Sequence, residues 1–125
     1  MAGSKGSLYY NVFLNYDLNL NDKDGDEILD CEGFALLETI ERFRSIVAAA
    51  EEMKMSYRKA WGIIQKVESR LGFPLVLKHR GGAEGGYTTL SEEGGQLINA
   101  YRELTTQFDD SINEIARKFF RKINR

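Results

Sequence analysis

Apolar residues alternate with polar ones near the start of the chain. From Tyr10 the even positions are Tyr10, Val12, Leu14, Tyr16, Leu18 and Leu20, and the odd ones are Asn11, Asn15, Asp17 and Asn19, with Phe13 the single exception. A period of two is that of a half-buried strand. Residues 21–26 supply turn chemistry, and Glu27-Ile28-Leu29 can return as a second strand, so an N-terminal hairpin is expected. The period then lengthens. Leu36, Leu37, Ile40 and Phe43 recur at helical spacing and predict a first helix over 32–43. Ser45 can cap a short second helix over 46–53, where Ala48-Ala49-Ala50 would let neighbouring helices approach closely. Ser56 can cap a third helix over 56–71, which Gly72 ends and Pro74 forbids from continuing.

Leu75-Val76-Leu77 and Tyr87-Thr88-Thr89-Leu90 read as two strands joined by a loop over 78–86 that holds four glycines. After Ser91 comes one long helix with a seam of Leu97, Tyr101, Leu104, Phe108, Ile112, Ile115 and Phe119 at steps of three and four. Phe120 and Ile123 widen its apolar face. Such a helix exceeds what a small domain can cover. It is expected to pair with a second copy, the alternative being that it folds back on its own domain. The fold class is therefore α+β, mainly helical: a winged helix-turn-helix with an N-terminal β-hairpin and a long C-terminal dimerisation helix. The expected division is a flexible tail or cloning remnant at 1–7, the winged domain at 8–90 and the dimerisation helix at 91–125.

A length of 125 residues fits one winged domain plus that helix. A net charge of −2 argues weakly against a nucleic-acid ligand until it is divided along the chain. Residues 1–55 hold five Lys/Arg against eleven Asp/Glu, whereas residues 56–80 hold Arg58, Lys59, Lys66, Arg70, Lys78 and Arg80 against Glu68 alone. Local clustering is what phosphate binding needs, because each contact works by releasing counterions near it. A charge cluster by itself also fits a plain solvated face. The single cysteine, Cys31, and single histidine, His79, leave no set for a disulfide, a zinc site or a nucleophilic triad, so no cofactor, metal or catalysis is expected. No apolar stretch approaches the roughly 20 residues that span a bilayer, and no signal-peptide pattern opens the chain, so a cytoplasmic location is expected.

On the third helix, Ala60, Ile64, Val67 and Leu71 make the buried stripe, and at about 100° per residue Arg58, Gln65 and Ser69 lie opposite it with Gly62 between them. An arginine and an amide there can each pair bidentately with a base edge. Lys59 and Lys66 sit on one flank, placed for phosphates. Trp61 sits on the other and is read as packing against the second helix or a dimer partner. The helix-start residues Ser45, Ser56 and Tyr57, and Lys78 and Arg80 beside the glycine loop, complete the expected DNA-contacting set. His79 is read as an auxiliary phosphate or solvent contact. Two rival motifs fail. Asp22, Asp24 and Asp26 with Gly25 suggest a calcium loop, but an EF-hand register would put Leu20 where the first carboxylate belongs. The glycine loop lacks the Gly-Lys-Ser/Thr ending of a phosphate-cradling enzyme loop.

Residues 8–104 resemble the N-terminal DNA-binding domain of ModE-type molybdate-responsive transcription regulators, a prokaryotic family. The resemblance rests on Gly33-Phe34-Ala35-Leu36-Leu37-Glu38-Thr39-Ile40, on Ser45-Ile46 with Ala49-Ala50, and above all on Met55-Ser56-Tyr57-Arg58-Lys59-Ala60-Trp61. Phe73-Pro74-Leu75-Val76, the glycine-rich wing and Leu90-Ser91 with Gly94 add to it. LysR-type DNA-binding domains are similar at greater distance: they share the Ala-Ala helix and the Gly-x-Pro-Leu ending, but open the third helix differently and lack the hairpin. Arg44 stands where the family usually has glycine, which leaves the form of that turn open, and Glu84 would oppose phosphate near the wing tip. Family members that sense molybdate do so with C-terminal oxyanion-binding domains, so no molybdate site is expected in this chain. The resemblance implies a homodimeric, sequence-specific regulator of transcription that binds an inverted repeat in double-stranded DNA. The other class to weigh is a winged-helix protein-interaction or dimerisation module whose DNA face is lost or repurposed, which the acidic first half and Glu84 favour.

Overall fold

Local signals account for the helix ends in the computed structural model, which describes residue 6 and residues 8–81 and 85–124. The tail read over 1–7, Gly6 apart, lies outside those residues, as does Glu84. A two-residue strand β1 (Leu20–Asn21) pairs antiparallel with β2 (Glu27–Leu29), and α1 (Cys31–Phe43), α2 (Ile46–Glu52) and α3 (Tyr57–Leu71) follow. Strands β3 (Val76–His79) and β4 (Tyr87–Leu90) form the wing, and α4 (Glu92–Ile123) ends the chain. The structure divides into two units, Leu18–Tyr101 and a smaller one made of the residues up to Asp17 and from Arg102 onward.

Each helix of the larger unit starts on a side chain that satisfies a backbone N–H otherwise without a partner. Asp30 accepts from Gly33 N at 2.8 Å, Ser45 from Ala48 N at 3.0 Å, Ser56 from Lys59 N at 3.0 Å and Ser91 from Gly94 N at 3.0 Å. Gly72 closes α3 in the left-handed conformation at φ 85°. The core gathers Phe34, Leu36, Leu37 and Ile40 of α1, Ile46, Ala49 and Ala50 of α2, and Ala60, Ile64 and Val67 of α3, with Leu29, Leu75, Val76 and Ile98. Phe34 stacks on Tyr101 with ring centroids 3.7 Å apart.

The turn that precedes α2 keeps the geometry usual for glycine although Arg44 occupies it. Arg44 sits at φ 56°, ψ 34°, donates its N–H to Ile40 O at 2.7 Å and accepts from Thr88 N at 2.9 Å. Its guanidinium lies 4.5 Å from the centre of the Tyr87 ring.

Two expectations need correction. Among the described residues the alternation over 10–20 yields Leu20–Asn21 as paired strand and Phe13 as an isolated bridge, because a strand needs a partner edge and β2 offers three residues. Phe43, expected on the apolar face of the first helix, is exposed at the end of α1, where the Arg42 guanidinium covers its ring at 4.8 Å. In the smaller unit Tyr16 donates its hydroxyl to the Asp109 carboxylate and packs its ring 5.9 Å from Phe108, while Ala116 and Phe120 are buried. Among the described residues no helix is long and apolar enough to cross a membrane.

Candidate nucleic-acid interface

Helix α3 turns its apolar stripe inward and its recognition set outward. Ala60, Ile64 and Val67 are buried and Leu71 is half-buried, while Arg58, Lys59, Gly62, Gln65, Lys66 and Ser69 are exposed. A methyl group placed on Gly62 would meet nothing within 4 Å, so the surface between Arg58 and Gln65 is low and open. An arginine and a glutamine two turns, about 10 Å, apart on such a face are placed for two separate base edges along a major groove.

The fixed position of α3 depends on the acid that interrupts the basic stretch. Glu68 Oε2 accepts the backbone N–H of Leu75 at 2.7 Å and that of Val76 at 3.2 Å, which ties the end of α3 to the start of the wing. Ser91 closes the same junction: its hydroxyl donates to Pro74 O at 2.7 Å and its N–H donates to Leu75 O at 2.8 Å. Glu68 is thus taken up by the backbone. Its spacing from Leu75 gives no sequence signal for that role.

The wing docks on α3 through Lys78. Its ammonium lies 4.1 Å from the centre of the Trp61 ring and donates to the Tyr57 hydroxyl at 3.3 Å. Trp61 is half-buried against the core, so it serves packing. Strands β3 and β4 pair Lys78 with Thr88 and His79 with Tyr87. His79 is half-buried in this arrangement. Its ring stacks on Tyr87 at 4.5 Å and its Nε2 is 2.8 Å from Thr89 Oγ1. The glycines are steric necessities here: a side chain at Gly81 would strike the carbonyl of Gly85, and one at Gly86 would come within 2.7 Å of His79 O.

Three elements converge on one cleft of about 230 Å³, bounded by Ser45 at the start of α2, Tyr57 at the start of α3, and Lys78, His79 and Tyr87 of the wing. The Ser45 hydroxyl, which spends a lone pair on its cap, keeps a proton to donate, and the Lys78 ammonium supplies positive charge. Such a donor set suits a phosphate oxygen. Of the expected contact set, the structure brings Ser45, Tyr57 and Lys78 together here and spreads Arg58, Gln65 and Lys66 over the open face of α3. Ser56 is held at the cap, and Arg80 is exposed at the end of β3. Arg44 and Tyr87, which have no place in the expected contact set, pair to join the start of α2 to the wing.

The seam of α4 divides by position. Leu97 and Tyr101 pack in part against the core of the larger unit. In the smaller unit Ile112 is half-buried, and Leu104, Phe108, Ile115 and Phe119 are exposed, while the adjoining Ala116 and Phe120 are the buried positions.

Residues 32–95 match the model of the bacterial regulatory helix-turn-helix proteins of the lysR family. The molybdenum transport protein ModE of Azotobacter vinelandii is 32% identical over 97 residues, which cover 78% of this chain and 36% of that protein. The molybdenum-pterin-binding protein MopB of Rhodobacter capsulatus is 37% identical over 92 residues, covering 68% of this chain and 34% of that protein. The chain therefore spans about a third of the length of these relatives. Among solved structures, the CbnR DNA-binding domain in complex with DNA superposes with a TM-score of 0.53 at 16% identity, over 68% of this chain and 92% of that one. That likeness is one of fold.

Proposed function

The chain belongs to the lysR family of bacterial regulatory helix-turn-helix proteins, and from that premise we propose that it works as a homodimeric, sequence-specific regulator of transcription that binds an inverted repeat in duplex DNA. In this reading α3 enters the major groove and reads bases with Arg58 and Gln65, while Lys59 and Lys66 hold the flanking phosphates. The wing and the start of α2 grip one backbone phosphate in the cleft at Ser45, Tyr57 and Lys78. Residues 8–90 form the DNA-binding part, and the exposed seam of α4 carries the second copy. The task is binding, with no bond made or broken, and a duplex ligand sets its place of work in the cytoplasm.

The observation that carries the reading is the convergence of Ser45, Tyr57 and Lys78 on a single cleft beside an open, basic α3 face. Selecting genomic fragments on the purified protein and titrating the recovered duplex across a range of salt concentrations tests it. Tight binding to a recovered inverted repeat, weakening steeply with salt, is the expected result. Equal, salt-insensitive recovery of unrelated fragments would exclude it.

A further inference from the structure

Two cations of α3 are already engaged, one by an acid of the hairpin turn and one by an acid at the start of α1. Lys59 Nζ lies 3.3 Å from Glu32 Oε2 in the first turn of α1, and Arg70 Nη1 lies 3.7 Å from Asp22 Oδ2 in the turn between β1 and β2. At 100° per residue the exposed Arg70 falls on the same flank of α3 as Lys59 and Lys66, and Lys66 lines a shallow cleft together with Glu27 and Glu32. The acidic first half of the chain is thus apposed to the basic helix. Arg58 and Gln65, on the outer face, belong to neither ion pair.

We propose that Glu32 and Asp22 act as a built-in counter-anion to α3, holding cations that DNA phosphates must win before the duplex is bound, and so lowering affinity for DNA of every sequence. The inference rests on the DNA-binding reading above. Both pairs are open to exchange: the side chains of Lys59 and Glu32 are 54% and 45% exposed, and those of Arg70 and Asp22 35% and 28%. Exposed ion pairs hold weakly, whereas a phosphate that takes the same cation also releases a condensed counterion. Asp22 cannot follow Arg70 toward DNA. Its Oδ1 accepts from Asp24 N at 2.9 Å and Asp26 N at 3.0 Å, which pins the carboxylate in the hairpin turn. The competition acts on phosphate contacts alone, so it shifts affinity without altering which bases are preferred.

The test uses Glu32→Gln, Asp22→Asn and the double variant in the full chain, titrated against a random-sequence duplex and a selected one over a range of salt. Asp22→Asn keeps an oxygen to accept from Asp24 and Asp26, Glu32→Gln leaves the Asp30 cap of α1 in place, and thermal melting checks both. Each single variant is expected to tighten both duplexes by the same factor, up to about fivefold at low salt. The slope of log affinity against log salt should steepen, by at most about 0.9 for each carboxylate removed. The gain from Glu32→Gln should shrink when Lys59 is also replaced by Gln. Folded variants that bind with unaltered affinity and slope, beside an unaltered chain that does bind, would overturn the counter-anion. If neither the chain nor any variant binds duplex at low salt, the DNA-binding reading falls as well.

Discussion

Gly94 lies so close to the carbonyl oxygen of Leu75 that a methyl group at residue 94 would overlap it. The contact seats the first turn of α4 on the start of the wing, beside the bonds from Ser91 to Pro74 and Leu75. Gly94→Ala should therefore destabilise the fold by about 1–3 kcal/mol despite alanine's better helix propensity, since backbone cannot yield as a side chain can. Gly95 meets nothing within 4 Å, and Gly95→Ala should stabilise by about 0.5–1 kcal/mol. Urea unfolding of the two variants gives opposite signs if the contact is as described.

Arg44 combines two opposing effects. Its left-handed backbone at φ 56° costs about 1–2 kcal/mol relative to glycine, and its stacking over Tyr87 returns about 0.5–1 kcal/mol. Arg44→Gly relieves the strain, loses the stacking and adds flexibility to the unfolded chain, so its net effect should stay within about 0.5 kcal/mol. Arg44→Ala keeps the strain and loses the stacking, and should cost about 0.5–1 kcal/mol. A large loss of stability in Arg44→Gly would show that the arginine side chain does more at this turn than cover Tyr87.

Local chemistry explains what was legible in the sequence. Ser45, Ser56, Ser91 and Gly72 act within three or four residues of themselves, so the helix ends followed from them directly. The two faces of α3 followed as well, because a 3.6-residue period alone divides Ala60, Ile64 and Val67 from Arg58 and Gln65. What a charged side chain touches depends on residues far along the chain. Glu68 bonding the backbone of residues 75 and 76, Lys59 meeting Glu32 and His79 stacking inside the wing are tertiary outcomes that no periodicity encodes. The alternation over 10–20 likewise implied a strand without supplying the edge it needed.

The Tyr16 phenol is pushed up to about 12 from 10.0, first because it donates to the Asp109 carboxylate and then by burial and the same negative charge. A raised phenol favours the folded contact below pH 10, where both states are protonated, and the advantage is lost as pH rises from 10 through 12. Ultraviolet titration should show a tyrosine ionising near pH 12. Asp109→Ala should lower that step toward 10.0, and Tyr16→Phe should delete it. A titration of the unaltered protein that Tyr16→Phe leaves unchanged near pH 12 would count against the contact.

Recognition and grip are expected to separate on α3. Arg58→Ala removes a bidentate donor and should cost about 1–3 kcal/mol on the preferred site while flattening discrimination at one base position. Lys66→Ala should weaken all duplexes alike and reduce the salt slope by about one. Competition binding with single-base variants of the selected site distinguishes the two patterns. If an Arg58→Ala, Gln65→Ala double variant keeps both affinity and preference, this face does not read DNA.

The exposed half of the α4 seam sets the last expectation. Leu104, Phe108, Ile115 and Phe119 are 39%, 46%, 55% and 46% exposed, and steps of four, seven and four residues put them along one side of the helix. Soluble monomers rarely leave so continuous an apolar stripe in water, and a twofold axis buries it against its own copy. Two α3 helices related by that axis should meet successive major grooves about 34 Å apart, which requires an inverted repeat with half-sites one turn, or a multiple of it, apart. Leu104→Glu with Ile115→Glu changes exposed positions and keeps the ring pairs of Tyr16 with Phe108 and of Phe119 with Phe120, so the chain should stay folded. Sedimentation should then find monomers, and affinity for the full repeat should fall toward that for a half-site, because the second domain is no longer tethered. The dimer reading is lost if the unaltered protein sediments as a monomer at micromolar concentration and still protects one asymmetric half-site.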